Sequence, residues 1–239
     1  MDVKMVVSGI EIAVERKKIK HTHLAVYPPD ARVHVSAPED LQERDIRSYV
    51  ASKIAWIRQQ REAILSQARQ TPREYVSGES IYCLGSRYLL SVIEEDRYAT
   101  EKILWGGGKL ILYVHGGSTK ARKAGIVESW QKSMLEECLA KKTGTWCRKL
   151  GMKTPVVELR KMKTRWASCL AGKGKVIFNV ALARVPAKCI EYVLVHELTH
   201  FTEKNHSPAF VKLMDERLPR WRELRRELNG FIAAPMEGD

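Results

Sequence analysis

The stretch VLVHELTHFTEKNHSPAF, Val193 to Phe210, constrains this chain more than any other, because it packs three of its seven histidines into eleven positions. On an α-helix, residues four apart sit about 40° from each other around the axis and one turn along, so His196 and His200 project into the same space. Ile190, Leu194, Leu198 and Phe201 fall on the opposing arc. The pattern predicts a helix buried through one face, turning a polar stripe with Glu197 beside it toward a cleft.

Two imidazoles at this spacing with a carboxylate between them form the HExxH arrangement, in which neutral rings bind zinc and Glu197 is placed to take a proton from water. A third ligand is required. His206 follows Asn205 and precedes Ser207-Pro208, a good N-cap and first-turn pair, so it occupies the tight turn where the chain doubles back and is the first choice to face the same ion. Glu203, Glu216 and Glu223 are the carboxylate alternatives, ranked below it. The interval from His200 to His206 equals that of the metzincins, but Glu203 stands where that group has glycine. Met214 lies within an apparent helix, AFVKLMDERL, and reads as a core side chain.

Upstream, GIEIAVERK, THLAVYP and RVHVSAP alternate apolar and polar residues and read as a β-meander, with a turn at Pro28-Pro29-Asp30. Pro38 to Gln70 carries Ile46, Tyr49, Val50, Ile54, Trp56, Ile57, Ile64 and Leu65 at mostly helical spacing, which predicts one long helix ending before Pro72. Glu74 to Val114 breaks into short strand-like segments (EYVSG, SIYCLG, RYLLSVIEE, KILWGGG, KLILYVHGG) punctuated by glycine. Gly106-Gly107-Gly108 is a turn and not a phosphate loop, since no helix with a Lys-Ser/Thr start follows. Helical periodicity resumes from Thr119 to about Leu150, stopped by Gly151. Strands PVVELRKMK and KVIFNVALA then flank the loop TRWASCLAGKG. Helices are expected from Pro186 to about Lys204, from Pro208, and from Pro219 to about Asn229. No internal repeat is visible.

The balance of 41 Lys and Arg against 28 Asp and Glu, a formal charge of +13, favours phosphate-rich or acidic partners without identifying one. No apolar run reaches the roughly 18 to 20 residues of a membrane span, and the N-terminus lacks the form of a signal peptide, so the expected location is cytoplasmic with no membrane contact. Five scattered cysteines, none in a CxxC pair, read as buried free thiols.

Taken together, TRWASC at Thr164 to Cys169, IFN at Ile177 to Asn179, HELTH and NHSPAF resemble the YgjP-like metallopeptidase family, kin to the SprT-like and WLM zinc-peptidase domains, whose pattern is RWGSC, HELxH and NHSxxF. The N-terminal strands, SGESIYCLG and LPRW at Leu218 to Trp221 are similar as well. The resemblance implies His196, His200 and His206 as Zn2+ ligands and Glu197 as catalytic base. One departure is Ala167, where the family has glycine; an added methyl group there is expected to narrow or reshape that side of the cleft.

The expected fold is α+β: residues 1–118 as a β-rich N-terminal domain with one long helix, and 119–239 as a compact zincin-like domain of the minigluzincin type, its HExxH helix packed on a small sheet. The expected activity is a zinc-dependent hydrolase cleaving peptide bonds in a peptide or protein substrate. Arg165 or Ser168 are the first choices to hold the oxyanion, with Tyr192 behind them, and Trp166 reads as a loop anchor. An edge strand, either KVIFNVAL or the TRWASC segment, is expected to hold extended substrate. Two rival readings stand. One is a metal-dependent nucleoside triphosphate pyrophosphatase of the UTP type, served by Arg160, Lys161, Lys163, Arg165, Lys173 and Lys175, although neither a P-loop nor a cluster of aspartates for magnesium is present. The other is a SprT-like DNA-associated protease using the cations of Arg16 to Lys20, Arg160 to Arg165 and Arg220 to Arg226 for nucleic-acid contact.

Overall fold

Alternation in the first strands sorts their side chains by face, and the computed structural model, which describes residues 3–27, 30–66, 73–95, 101–162 and 165–231, bears this out. Strands β1 (Val3–Val7), β2 (Ile10–Lys17), β3 (His23–Tyr27) and β4 (Arg32–Pro38) bury Ile12, Val14, Val33, Val35 and Ala37 against Ile46, Val50 and Ile57. The sheet order is β1-β2-β4-β3, and β2 pairs with β4 in parallel. The expected meander is therefore corrected: the central pair is a crossover, and β1 precedes the segments read as strands. Pro28 and Pro29 of the expected turn lie outside the described residues.

The single long helix is also corrected. It is two, α1 (Glu43–Ser52) and α2 (Ile54–Ser66), interrupted at Lys53. No proline or glycine causes the break. The Ser52 hydroxyl donates to the Tyr49 carbonyl at 2.7 Å and the Lys53 amide to Val50 at 3.0 Å, so side chain and tightened turn compete for the helix acceptors. The last expected positions, 67–70, lie outside the described residues.

A second four-stranded sheet follows: β5 (Ser80–Cys83), β6 (Ser86–Glu94), β7 (Lys102–Gly106) and β8 (Lys109–Val114) in the order β5-β6-β8-β7, with β6 and β8 parallel. Its connectivity repeats that of the first sheet, although the two segments share no visible sequence repeat. EYVSG is irregular and not a strand. Helix α3 (Lys120–Leu150) is capped by the Thr119 hydroxyl, which accepts from the Arg122 amide, and ends at Gly151 in the left-handed region, as its sequence predicts. Its first turns pack Val127 and Trp130 on Ile81, Leu90, Leu110 and Leu112. Its later turns put Leu135, Leu139 and Trp146 into a second core with Phe178, Ile190, Leu194 and Leu198.

Because α3 joins these two cores, the chain divides into compact units at Pro72/Arg73 rather than at 118/119. The remaining elements are β9 (Val156–Arg160), β10 (Ala167–Leu170), β11 (Lys175–Asn179), α4 (Ala187–Thr199), α5 (Pro208–Arg217) and α6 (Trp221–Asn229). They complete a mixed α+β architecture. β11 is central, with β10 antiparallel on one side and β9 parallel on the other. No described helix is long and apolar enough to cross a membrane.

The β5–β6 turn fixes where α4 begins. The Leu84 amide donates to the Ala183 carbonyl at 2.7 Å, and a Cβ on Gly85, at φ +83°, would come within 2.7 Å of the Pro186 backbone. Gly9, in the equivalent turn of the first sheet, has φ +79° and open space around it. Gly9→Ala is expected to cost only the backbone conformation, about 1 kcal/mol. Gly85→Ala adds a collision with main chain and is expected to cost at least about 2 kcal/mol. Urea unfolding of both variants checks the difference.

Candidate metal centre

Helix α4 forms because its apolar arc has a core to enter, and that burial fixes which way its polar stripe looks. Ile190, Leu194 and Leu198 are fully buried, and the ligand nitrogens offered by His196, His200 and His206 lie within 4.8 Å of one another. α4 ends at Thr199, five residues short of the expected Lys204. His200 is its C-cap, and the Phe201 and Thr202 amides turn back to Leu198 and Thr199 at 3.2 and 2.9 Å. This early stop frees the chain to bring His206 round. Ser207 then caps α5, accepting from the Phe210 amide with Pro208 in the first turn, as expected.

The three rings surround one point. His196 Nε2 and His206 Nε2 are 3.0 Å apart, and the ring centroids are separated by 4.8 to 4.9 Å. Phe210, buried beneath them, contacts all three at centroid distances of 4.7 to 5.0 Å. The His200 tautomer with its proton on Nδ1 donates to the Glu203 carbonyl at 3.1 Å, which leaves Nε2 as a lone pair for a cation. Burial first, then the neighbouring imidazoles and Arg225, pushes His196 down to about 3; His206 is lowered for the same kinds of reason. Ring nitrogens that converge on one point, with His196 and His206 disfavoured in their charged form, fit a metal ion. Glu203, Glu216 and Glu223 stand outside this cluster: Glu203 Oε1 instead accepts from the Asn205 amide, and Glu223 pairs with Arg220. Met214 is a core side chain.

Glu197 is only 7% exposed, and burial raises its carboxyl to about 7, against the lowering effects of the Cys169 amide and Arg165. The Asn179 amide donates to the Trp166 carbonyl at 2.8 Å, which sets the alternation along β10. The main-chain groups of Trp166 and Ser168 face β11, whereas those of Ala167 and Cys169 face outward. KVIFN is the central strand, so of the two expected segments only TRWASC lies at an edge, β9 forming the other; Lys163 and Thr164 lie outside the described residues. The methyl group of Ala167 is buried within the core shared with α4, where it fills core volume.

Arg165 acts on Glu197 electrostatically, while no hydrogen bond among the described residues links Ser168 to Glu197 or to the histidines. Tyr192, one turn before His196, sets its ring edge-on to that imidazole at 6.0 Å and stacks on Trp221 at 6.3 Å. Arg225, four residues after Trp221 on α6, adds its field to His196, His206 and Tyr192. Sequence reasoning grouped Arg225 with the Arg220 to Arg226 cations assigned to nucleic acid and did not place it beside the histidines. Several cations assigned to a triphosphate or to DNA are engaged within the chain. Arg160 and Lys175 both pair with Glu158, Lys161 with Glu128, Arg222 with Asp215, and Arg16 donates to the carbonyls of Glu39 and Leu41.

A family model described as YgjP-like, metallopeptidase domain, matches residues 21–231. No curated protein matches the chain. Among solved structures, the crystal structure of the metallopeptidase zymogen of Pyrococcus abyssi abylysin is similar at 23% identity, covering 43% of this chain and 98% of that one, with a TM-score of 0.36.

The buried carboxyl makes a pH prediction for metal-free protein. Because the folded-state pKa of Glu197 lies above its unfolded value, the unfolded chain releases this proton first, and stability from this group falls as pH rises from about 4.5 to about 7. Glu197→Gln removes that term. Its stability relative to wild type is expected to rise across this window by on the order of 3 kcal/mol and to level off above it. Chelator-treated samples unfolded in urea at pH 4.5 and pH 8 measure the change.

Proposed function

The chain belongs to the YgjP-like metallopeptidase family, matched over most of its length, and we propose that it is a zinc-dependent hydrolase that cleaves peptide bonds with Glu197 as general base. One observation carries the reading: converging imidazoles within 4.8 Å of each other beside a buried carboxyl held at about 7. Imidazole donors favour zinc over the hard cations that select oxygen. In this reading the part of the second unit that runs from α3 to α6 is zincin-like, with α4 packed on the small sheet.

When bound, the ion supplies Lewis acidity that polarises the scissile carbonyl and acidifies water. Glu197 takes a proton from the attacking water on its carboxylate and returns it to the departing amine nitrogen, two tasks suited to a carboxyl near neutrality. The outward main chain of β10, namely the Ala167 amide and carbonyl and the Cys169 carbonyl, pairs with extended substrate and reads backbone more than side chains. The Cys169 amide is already committed to Glu197, which ties the base to the strand that holds the substrate. Arg165 supplies positive charge to the oxyanion, with Ser168 behind it and Tyr192 and Arg225 approaching from α4 and α6. The net charge of +13 draws acidic or phosphate-rich partners toward the protein without defining cleavage specificity.

Glu197→Gln is expected to retain zinc and to lower kcat on an unstructured protein substrate by about 10²- to 10⁴-fold. Arg165→Met is expected to lower kcat by about 10²- to 10³-fold with KM little changed. Both variants are assayed beside wild type with matched zinc content on protein and nucleoside triphosphate panels. Glu197-dependent nucleotide turnover without proteolysis would overturn the peptidase reading.

A further inference from the structure

The turn that carries the chain from α4 to His206 is short and exposed, yet it has to hold two ligand rings in register. Its anchorage comes from the far end of α5. Arg217 reaches back with both terminal nitrogens: Nη1 donates to the Thr199 hydroxyl at 3.0 Å and Nη2 to the Thr202 hydroxyl at 3.3 Å. Thr199 is fully buried at the last position of α4. Its hydroxyl donates to the Val195 carbonyl at 2.7 Å and lies 3.4 Å from Met214 Sδ, so its oxygen is fixed before Arg217 arrives.

From that fixed point the bonds run to the ligands. The Thr199 carbonyl accepts the Thr202 and Glu203 amides at 2.9 and 3.0 Å, which shapes the turn so that the Glu203 carbonyl meets His200 Nδ1 at 3.1 Å. The Glu203 side chain accepts the Asn205 amide at 3.2 Å, next to His206. The hydrogen bonds of Arg217 go to two neutral hydroxyls at the C-terminal end of α4, where the helix dipole favours a cation, and the adjacent Glu216 acts on it through its field. A planar fork that bridges two residues three apart fixes their spacing in a way that a single ammonium does not.

We propose that Arg217 is a positioning residue for the metal centre, clamping the 199–203 turn so that His200 and His206 present their ring nitrogens to one cation. The inference rests on the reading that the three histidines hold zinc, and it concerns affinity and geometry and not the chemical step. Outer partners that orient a ligand ring typically govern ten- to a hundredfold of metal affinity. Replacing the guanidinium by an apolar side chain of similar length strands no buried hydroxyl, because Thr199 keeps its bond to Val195 and Thr202 is exposed to water, so the metal-free fold is expected to stay close to unchanged.

The test is zinc titration of the full chain against a chromogenic chelator, with the ligand-field spectrum of the cobalt-substituted protein and thermal unfolding of the metal-free protein, for wild type, Arg217→Met, Arg217→Lys and Thr202→Val. Expected results are a zinc affinity at least about tenfold lower in Arg217→Met, a partial loss in Arg217→Lys, and an altered cobalt spectrum. The metal-free melting temperature of Arg217→Met is expected to stay within about 2 °C of wild type. The double variant Arg217→Met/Thr202→Val, measured beside these, is expected to match Arg217→Met in zinc affinity. Equal zinc affinity and identical cobalt spectra in wild type and Arg217→Met would overturn the clamp, as would a drop in affinity that is matched by Arg217→Lys and accompanied by a collapse in metal-free stability. If wild type itself binds no zinc, the metal reading fails first, a result distinct from the other two.

Discussion

Three imidazole rings whose nitrogens converge on one point are the arrangement around which the C-terminal unit is organised. Such an arrangement is unfavourable if the rings are charged, since like charges at these distances repel strongly. Burial, most strongly at His196, and the positive field of Arg225 disfavour charge on His196 and His206. Phe210 supplies the floor. Its buried ring touches all three imidazoles, so the α5 helix that follows His206 contributes packing to the same site that the turn delivers. Removing that floor would loosen every ligand at once, which is why the NHSPAF segment works as a unit.

The site also carries costs that the surrounding core has to offset. His196 Nδ1 is buried without a hydrogen-bond partner among the described residues, and Glu197 is buried with its carboxyl raised toward neutrality. Each lowers stability in the metal-free protein. The opposing term is the apolar cluster behind α4, where Phe178, Leu182, Ile190, Leu194 and Leu198 are fully buried. Trp146 and Lys142 of α3 further tie that helix to Glu191 of α4 at 2.8 and 2.6 Å. A rigid scaffold on one face thus permits a strained polar arrangement on the other, the usual division of labour in sites that do chemistry.

Much of this was legible in the sequence because it is local. The phase of His196 and His200, the Ser207-Pro208 start of α5, the extent of α3 and the glycine turn at 106–108 all depend on neighbours within a few positions. What escaped is non-local. The parallel pairings β2–β4 and β6–β8 depend on strand order, which alternation cannot encode, since a strand reads the same whichever neighbour it takes. The division at Pro72/Arg73 was hidden because α3 serves two cores, and a helix pattern does not announce how many surfaces it covers. Arg217 and Arg225 look in sequence like ordinary helix cations; only packing brings one onto the turn beyond α4 and the other into the field of the histidines.

Ala167 shows how a motif can keep its geometry while its sequence changes. A residue in an edge strand has two separable parts: main-chain groups lying in the sheet plane, and a side chain perpendicular to it. At Ala167 the amide and carbonyl point away from β11, while the methyl group enters the core shared with β11 and α4. A small residue suits a side chain that enters a buried apolar cluster of this kind. The outward edge is left as it would be with glycine. Alanine also restricts the backbone of the unfolded chain more than glycine does, so at this extended position the substitution favours the folded strand. The departure from the motif therefore falls on the packing side of β10 and leaves its outward edge, the side beside Glu197, open.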